Sequence, residues 1–426
     1  MENKHIQLIQ RIWTNSCRYV VSVVFIFSGF VKLIDPLGTF YKLQDYAEAF
    51  NLLWIPDFIL LIGGIALAGI EFTVGLFLFF GLRRNISTVA GLLLMLVMTP
   101  LTLILALTNP ISDCGCFGDA LTLTNWQTFA KNVLLLGFVL WLYRYRKNII
   151  PLFSENTNWI VSMYSVLFVL GLAIYSYRYL PIIDFRPYKV GVDIFESMQT
   201  PEGAEEPEFE TLFLLEKEGE KRWFDEFDYP DSTWVFIDSK TKIIKQGYVP
   251  PIRDFFMIDQ KSGEDIATEF LSQTGYSFIL VAHRIDLADD SNIDLINELY
   301  DYSVDHGYSF VCLTSSLPNE IEEWSDKTGA EYPFYLSDDI TLKTMIRSNP
   351  GLILLKDGVI LNKWDHFSIP DEYDLTGSLD QLEIGTLKAR DTSTTILHVV
   401  LWFFGPLFLI YILDTLVGRS IRSKNK

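Results

Sequence analysis

The chain has 426 residues, half of them hydrophobic, and a formal net charge of −19. A surface this acidic argues against nucleic acid as a partner. The combination describes a segregated protein, with apolar spans in one part and acidic soluble surface in another.

Long apolar runs cover 19–34, 57–80, 86–108, 126–143, 159–180 and 395–417. Each is near the ~20 residues that cross ~30 Å of hydrocarbon, the first being short. The reading is an α-helical membrane protein with six transmembrane helices. The first span has no small-residue cleavage site and carries Lys32 and Asp35 at its outer end, so it reads as a retained helix. In the second span Gly63, Gly64 and Gly69 predict close helix contact. Glu71, fourteen residues past Asp57, is placed ~21 Å along that helix, deeper than the midplane. A carboxylate there either relays protons or binds a quinone oxygen, or it fixes packing as a protonated or paired group. Pro100 predicts a kink in the third span. Lys131, one turn into the fourth, is expected to snorkel to the outer surface.

Between the third and fourth runs lies Asp113-Cys114-Gly115-Cys116-Phe117-Gly118-Asp119. Gly115 lets the backbone fold tightly enough for the two sulfurs to meet. The pair either closes a small strained disulfide, which is more labile than a structural one, or stays poised as two thiols. Exchange chemistry and a fixed loop staple both remain open. Two sulfur ligands with no adjacent His make a poor zinc signature, so no metal is assigned. Asp113 and Asp119 are expected to raise the thiol pKa. Cys17 and Cys312 read as ordinary small apolar residues.

Orientation follows from Lys and Arg. Lys4, Arg11 and Arg18 precede the first span, Arg83 and Arg84 follow the second, and Arg144, Arg146 and Lys147 follow the fourth. With Arg419, Arg422, Lys424 and Lys426 at the end, they fall on one side by alternation. Both termini are then cytoplasmic. The loop 35–56, the cysteine loop and the large acidic insert, about 181–393, lie outside, in the periplasm of a cell with an inner membrane. That compartment is oxidising.

Within the insert, 201–210 reads as a Glu- and Pro-rich loop. Strands are expected at 210–215, 233–238 and 242–247, and the acidic aromatic run 225–231 as solvated surface. From about 251 the chain alternates. Strands are predicted at 253–258, 276–282 and 308–313, helices at 263–272, 292–306, 318–328 and 341–347, and a hairpin at 352–356 with 359–363 through Lys356-Asp357-Gly358. Residues 368–393 read as a linker. No Walker, Rossmann, Ser-x-x-Lys or His-Glu-x-x-His motif occurs.

Two stretches carry family resemblances. Phe27-Ser28-Gly29-Phe30-Val31-Lys32-Leu33-Ile34-Asp35-Pro36 and Cys114-Gly115-Cys116-Phe117-Gly118 make residues 15–150 resemble the DoxX/MauE family of small bacterial membrane proteins. That resemblance implies a four-helix bundle and redox or disulfide chemistry at the envelope. Its MauE branch is associated with disulfide formation during maturation of a periplasmic enzyme, and its DoxD relatives with a thiosulfate:quinone oxidoreductase. Residues 250–366 resemble a thioredoxin-like domain. The resemblance rests on the entry Pro250-Pro251-Ile252-Arg253-Asp254-Phe255 and on Asn349-Pro350-Gly351-Leu352-Ile353-Leu354-Leu355-Lys356-Asp357-Gly358, where Pro350 matches the family's cis-proline. The chain departs from the family at His283-Arg284-Ile285-Asp286-Leu287-Ala288-Asp289, which has no cysteine where the dithiol belongs.

The expected organisation is a DoxX-like four-helix bundle at 1–150, a fifth transmembrane helix at 151–184, an acidic strand and loop extension at 185–250, a degenerate thioredoxin-like α/β domain at 251–390, and a sixth transmembrane helix with a basic tail at 391–426. The first functional expectation is thiol–disulfide exchange by Cys114 and Cys116 at the periplasmic face of the inner membrane. Its candidate cofactor is a quinone near Glu71 and Lys131, and its partner a periplasmic thiol protein. The alternative is a non-enzymatic envelope scaffold that binds a client through the edge at Asn349 and Pro350. Membrane lipid is a partner in both.

Overall fold

The structure is a computed structural model. It describes residues 2–111, 113–201, 203–205, 208–217, 220–225, 233–245, 247–387 and 392–424. The acidic run expected at 225–231 lies outside the described residues except at its first position, and so do the side chains of the C-terminal cations.

The membrane part is helical. α1 spans Glu2–Ile34, α2 Pro36–Ala49, α3 Asp57–Phe80, α4 Arg84–Thr108, α5 Asn125–Arg144 and α6 Asn158–Arg178. Five helices are long and apolar enough to cross a membrane, at Lys4–Ile34, Asp57–Phe80, Arg84–Thr108, Asn158–Arg178 and Ser393–Leu416. The sixth expected span, α5, is 20 residues long but is diluted by Asn125, Gln127, Lys131 and Asn132. Three of these polar positions turn inward, for Asn125 and Asn132 are buried and Lys131 lines an internal cavity.

Two expectations for the first span change. The helix does not begin near residue 19 but runs through the whole N-terminal tail, 33 residues or about 50 Å. The stretch expected as a loop, 35–56, contains α2. Pro36 sits at its first turn, where no N–H is needed, and the Asp35 carboxylate accepts from Gly38 N at 2.9 Å.

α1 packs chiefly on α3, and α4 on α5. A Cβ at Gly29 would lie 2.5 Å from the backbone N of Phe72, so only glycine permits that α1–α3 approach. Gly64 meets Leu43 and Thr39 of α2, and Gly69 meets Val169 of α6, whereas Gly63 has open space beside it. α4 continues through Pro100.

The segment 185–250, where strands are expected at 210–215, 233–238 and 242–247, forms α7 (Ile194–Met198) and a separate antiparallel sheet of β1 (Glu208–Lys217), β2 (Glu220–Asp225) and β3 (Val235–Lys245), in the order β2-β1-β3, with β3 joining the last two expected strands into one. Next come β4 (Ile258–Asp259), α8 (Ala267–Leu271), β5 (Tyr276–Val281), α9 (Ile293–His306), β6 (Ser309–Thr314), α10 (Pro318–Thr328), β7 (Phe334–Leu336), α11 (Asp339–Met345), β8 (Gly351–Lys356) and β9 (Val359–Asp365). They build a six-stranded sheet ordered β4-β7-β6-β5-β8-β9. β5, β6 and β7 run parallel through the crossovers α9 and α10, while β8 and β9 run antiparallel. The strand expected at 253–258 shrinks to Ile258–Asp259, and β7 was not foreseen because it is three residues long.

β5 is buried along its whole length because helices cover both faces. Ile279 and Val281 enter a core with Leu342 and Met345, while Phe278 and Leu280 enter the opposite core with Leu299 and Trp324. α12 (Thr392–Lys424) returns to the bundle, where Phe403 packs on Phe80 and Phe168, and Asp414 accepts from Ser154 N at 2.8 Å.

Candidate functional site: the cysteine loop and the cavity beneath it

The cysteine loop closes one end of the bundle. Gly115 takes φ +64°, and an added Cβ would lie 2.8 Å from the Lys42 side chain. Three hydrogen bonds fix the turn. Tyr46 Oη donates to the Cys114 carbonyl at 2.8 Å, Ser28 Oγ to the Cys116 carbonyl at 2.6 Å, and Gly118 N to the Gly115 carbonyl at 3.1 Å. Phe117 is buried against Phe27, and the Lys131 ammonium lies 4.7 Å from its ring centre.

Both cysteines are half-buried free thiols. They titrate as a coupled pair. The Cys116 thiol is lowered to about 7, first by the hydrogen bond from Cys114 and then by Lys131 and Lys32, against the cost of burial. Cys114 is pushed up, by that same bond and by burial. The expectation that Asp113 and Asp119 would raise both thiols is corrected. Asp113 is paired with Lys42 at 2.7 Å and Asp119 with Arg347 at 3.2 Å, so the flanking carboxylates are neutralised and two ammonium groups act on Cys116.

Beneath Cys116 a cavity of about 30 Å³ runs into the bundle, lined by Ser28, Lys32, Glu71, Lys131, Asn132 and apolar side chains that include Met95 and Met98. Lys32 donates to Glu71 at 2.6 Å. This contact corrects the depth assigned to Glu71. It stands level with Lys32, two residues from the end of α1, because the first turns of α3 stand beside α2. Lys131 likewise turns to Phe117 and this cavity instead of the outer surface.

A space of about 30 Å³ is that of roughly one water, whereas a six-membered carbon ring needs a cavity of order 150 Å³. A quinone ring is therefore larger than the space beside Cys116.

The soluble domain meets the loop through Arg347, at the end of α11. Its guanidinium reaches both oxygens of Asp35 at 3.1 Å and Asp119 at 3.2 Å, and it lies over the Tyr41 ring together with Lys343. His283, in the cysteine-free stretch, meets the edge of the same ring. Burial opposes ionisation of Asp35, but Arg347, Arg186 and the Gly38 N–H outweigh it and hold the carboxyl below its usual range. Close by, Arg186 grips Asp184 at 2.7 and 3.0 Å, and Lys363 adds a third bond at 3.1 Å. Asp184 is held well below the carboxylate range by Lys363 and Arg186 despite its burial, while burial draws Lys363 down to about 8.

Of the residues singled out from sequence, Cys116, Glu71 and Lys131 come together at the cavity, and Cys114 adjoins them as the thiol partner of Cys116. Asn349 and Pro350 are not part of it. Their peptide bond is cis; the Asn349 carbonyl accepts from Asp289 N at 2.9 Å and its Nδ2 donates to the Arg284 carbonyl at 2.7 Å. Sequence reading missed Lys42, Tyr46 and Arg347 as neighbours of the loop. Lys32 was visible as a charge in an apolar span, but its partner was not. Cys17 and Cys312 are buried apart from the site. No group of three or more His, Cys, Asp or Glu among the described residues could hold a metal ion.

The chain is thus a helical membrane part, closed at one end by a loop with two thiols, joined to an α/β sheet domain. Residues 10–144 match the family described as Methylamine utilisation protein MauE, and residues 209–246 match a domain of unknown function, DUF8463. No curated protein matches the chain. Among solved structures the chain is similar to an uncharacterized conserved protein from Geobacillus kaustophilus, at a TM-score of 0.25 and 14% identity over 32% of this chain and 82% of that one. It is also similar to a thiol peroxidase from Chromobacterium violaceum, at a TM-score of 0.22 and 16% identity over 29% of this chain and 79% of that one. These likenesses are too slight to bear on activity.

Proposed function

We propose that the protein is an inner-membrane thiol–disulfide exchange protein, with six transmembrane helices including α5, both termini cytoplasmic, and the cysteine loop and soluble domain in the periplasm. The observation that carries the reading is the asymmetry of the pair: Cys116 lines a cavity with two ammonium groups, Lys32 and Lys131, and Cys114 does not line it.

When the pair is oxidised, a client thiolate attacks the Cys114 sulfur, and Cys116 leaves as the thiolate. Lys131 and Lys32 stabilise that charge, and a thiol of lower pKa leaves faster. A second client thiolate then attacks the client sulfur of the mixed disulfide. The client leaves as a disulfide and Cys114 as a thiolate that takes up a proton. Two electrons pass from the client to the pair; run backwards, the same steps reduce a client.

The soluble domain contributes no second dithiol. Its cysteine-free stretch and its Arg347 face the bundle, which makes it a brace for the loop. In the scaffold alternative the thiol pair never cycles.

Mass-tag alkylation of thiols in intact cells separates the two readings. Exchange requires the pair to shift between tagged and untagged forms when the periplasm is made reducing or oxidising, and Cys116→Ser to trap a client on Cys114. A pair that stays in one state throughout, with no trapped adduct, would sink the exchange reading.

A further inference from the structure

The opposite end of the bundle carries a second concavity unrelated to the thiols. We infer that it is a binding groove for a molecule bearing two or more phosphate groups. The groove measures about 880 Å³ and lies between the first turns of α1 and the corner that follows α5. Lys4 and Arg11 line one wall, and Arg144, Arg146 and Lys147 the other; no carboxylate among the described side chains lines it.

Cations at this end fall into two kinds. Arg18 and Arg84 are spent on structure, donating to the carbonyls of Ile150 and Ile149. The five groove cations have no carboxylate partner among the described residues. Arg144 and Arg146 are instead laid over the rings of Tyr145 and Tyr143, which aims their planar forks without neutralising them. Five uncompensated charges around one hollow repel each other and are relieved by a polyanion. Guanidinium forks match phosphate oxygens in pairs.

The volume exceeds what a single phosphate would fill and lies within the usual range for ligand sites. The α1 overhang, about 50 Å of helix against ~30 Å of hydrocarbon, is what raises the first wall. Its exposed Ile6, Leu8 and Ile9 add apolar surface beside the charges, suited to a headgroup carrying acyl chains. A bis-phosphate lipid headgroup and a soluble polyphosphate share this chemistry.

The test uses full-length protein, purified in detergent and stripped of lipid. Native mass spectrometry measures retention of diphosphatidylglycerol against phosphatidylethanolamine, and calorimetry measures pyrophosphate binding. Diphosphatidylglycerol should bind about tenfold or more tightly than the zwitterionic lipid, falling with salt. Lys4→Gln/Arg11→Gln and Arg144→Gln/Arg146→Gln should each weaken it about tenfold or more. Arg83→Gln, an exposed cation at the same end but outside the groove, should not. Unchanged melting and Cys116 alkylation confirm that each variant is folded. Competition by pyrophosphate identifies a soluble source, and its failure identifies the lipid. Equal retention of both lipids with no pyrophosphate binding, or a loss in Arg83→Gln equal to that in the groove variants, overturns the inference.

Discussion

Cys116 illustrates how little of a thiol's chemistry is set by its neighbours in sequence. Asp113 and Asp119 flank the pair, yet each carboxylate is neutralised by a cation from a distant segment, Lys42 and Arg347. What acts on Cys116 is the Cys114 thiol, then Lys131 and Lys32. Its alkylation rate should therefore rise through a midpoint near about 7 in the purified protein. Cys114→Ser keeps a donor and should leave that midpoint nearly in place. Cys114→Ala removes the donor, and Lys131→Met removes a counter-ion, so both should move it upward. Rate against pH with a maleimide, followed by mass spectrometry of the loop peptide, reads this directly. A midpoint unmoved by both substitutions would refute the arrangement.

At the scale of elements, the sequence showed most of the helices and hid their partners. Hydropathy was enough for α3, α4, α6 and α12, each a long apolar run. The start of α1 escaped because its first turns carry Lys4, Gln7, Gln10 and Arg11, and an overhang needs no apolar surface. α2 escaped because it is short and half polar, although Asp35 followed by Pro36 is a helix-start signal. In residues 208–245 the expected strands 210–215 and 233–238 fall on β1 and β3, but β2 was not expected, and 242–245 continues β3 instead of standing apart. The glycines were legible as a class but not individually. Gly63 was expected at a contact and has none, while Gly29, read only as part of a family motif, sits against Phe72 backbone. Gly29→Ala must push α1 from α3 and should cost roughly 1–3 kcal/mol or prevent folding. Gly63→Ala should be neutral or slightly stabilising, since alanine is the better helix former. Thermal melts of the two variants in the same detergent make the comparison, and equal losses would contradict the packing.

In the whole molecule, the membrane and soluble parts are joined by buried charge, which no local pattern reveals because Asp35 and Arg347 are 312 residues apart. Removing Arg347 leaves Asp35 buried without its ion pair. Arg347→Met should cost about 3–5 kcal/mol of docking stability, and Asp35→Asn/Arg347→Met less than that. The junction should also release in acid. Asp35 and Asp184 are both held below their unfolded values, so their contribution is complete above an ordinary carboxylate pKa of ~3.9 and is lost as pH falls through the lower folded values. Hydrogen exchange at α2 should accordingly be unchanged at mildly acid pH and rise only well below ~4. Release that begins near neutrality would point to histidine and away from these carboxylates.

The Arg347–Asp119 contact also has a consequence in time. Asp119 leaves the ribosome 228 residues before Arg347. At roughly 5–20 residues per second this is an interval of about 10 to 45 s. During it the loop is held by the bundle alone, through α1, α2 and α5, and its thiols are without the Arg347 contact. With the loop outside the cell membrane, as proposed, the pair's first encounter with an oxidant falls during synthesis, and the redox state in which each new molecule begins is set before the soluble domain exists to influence it.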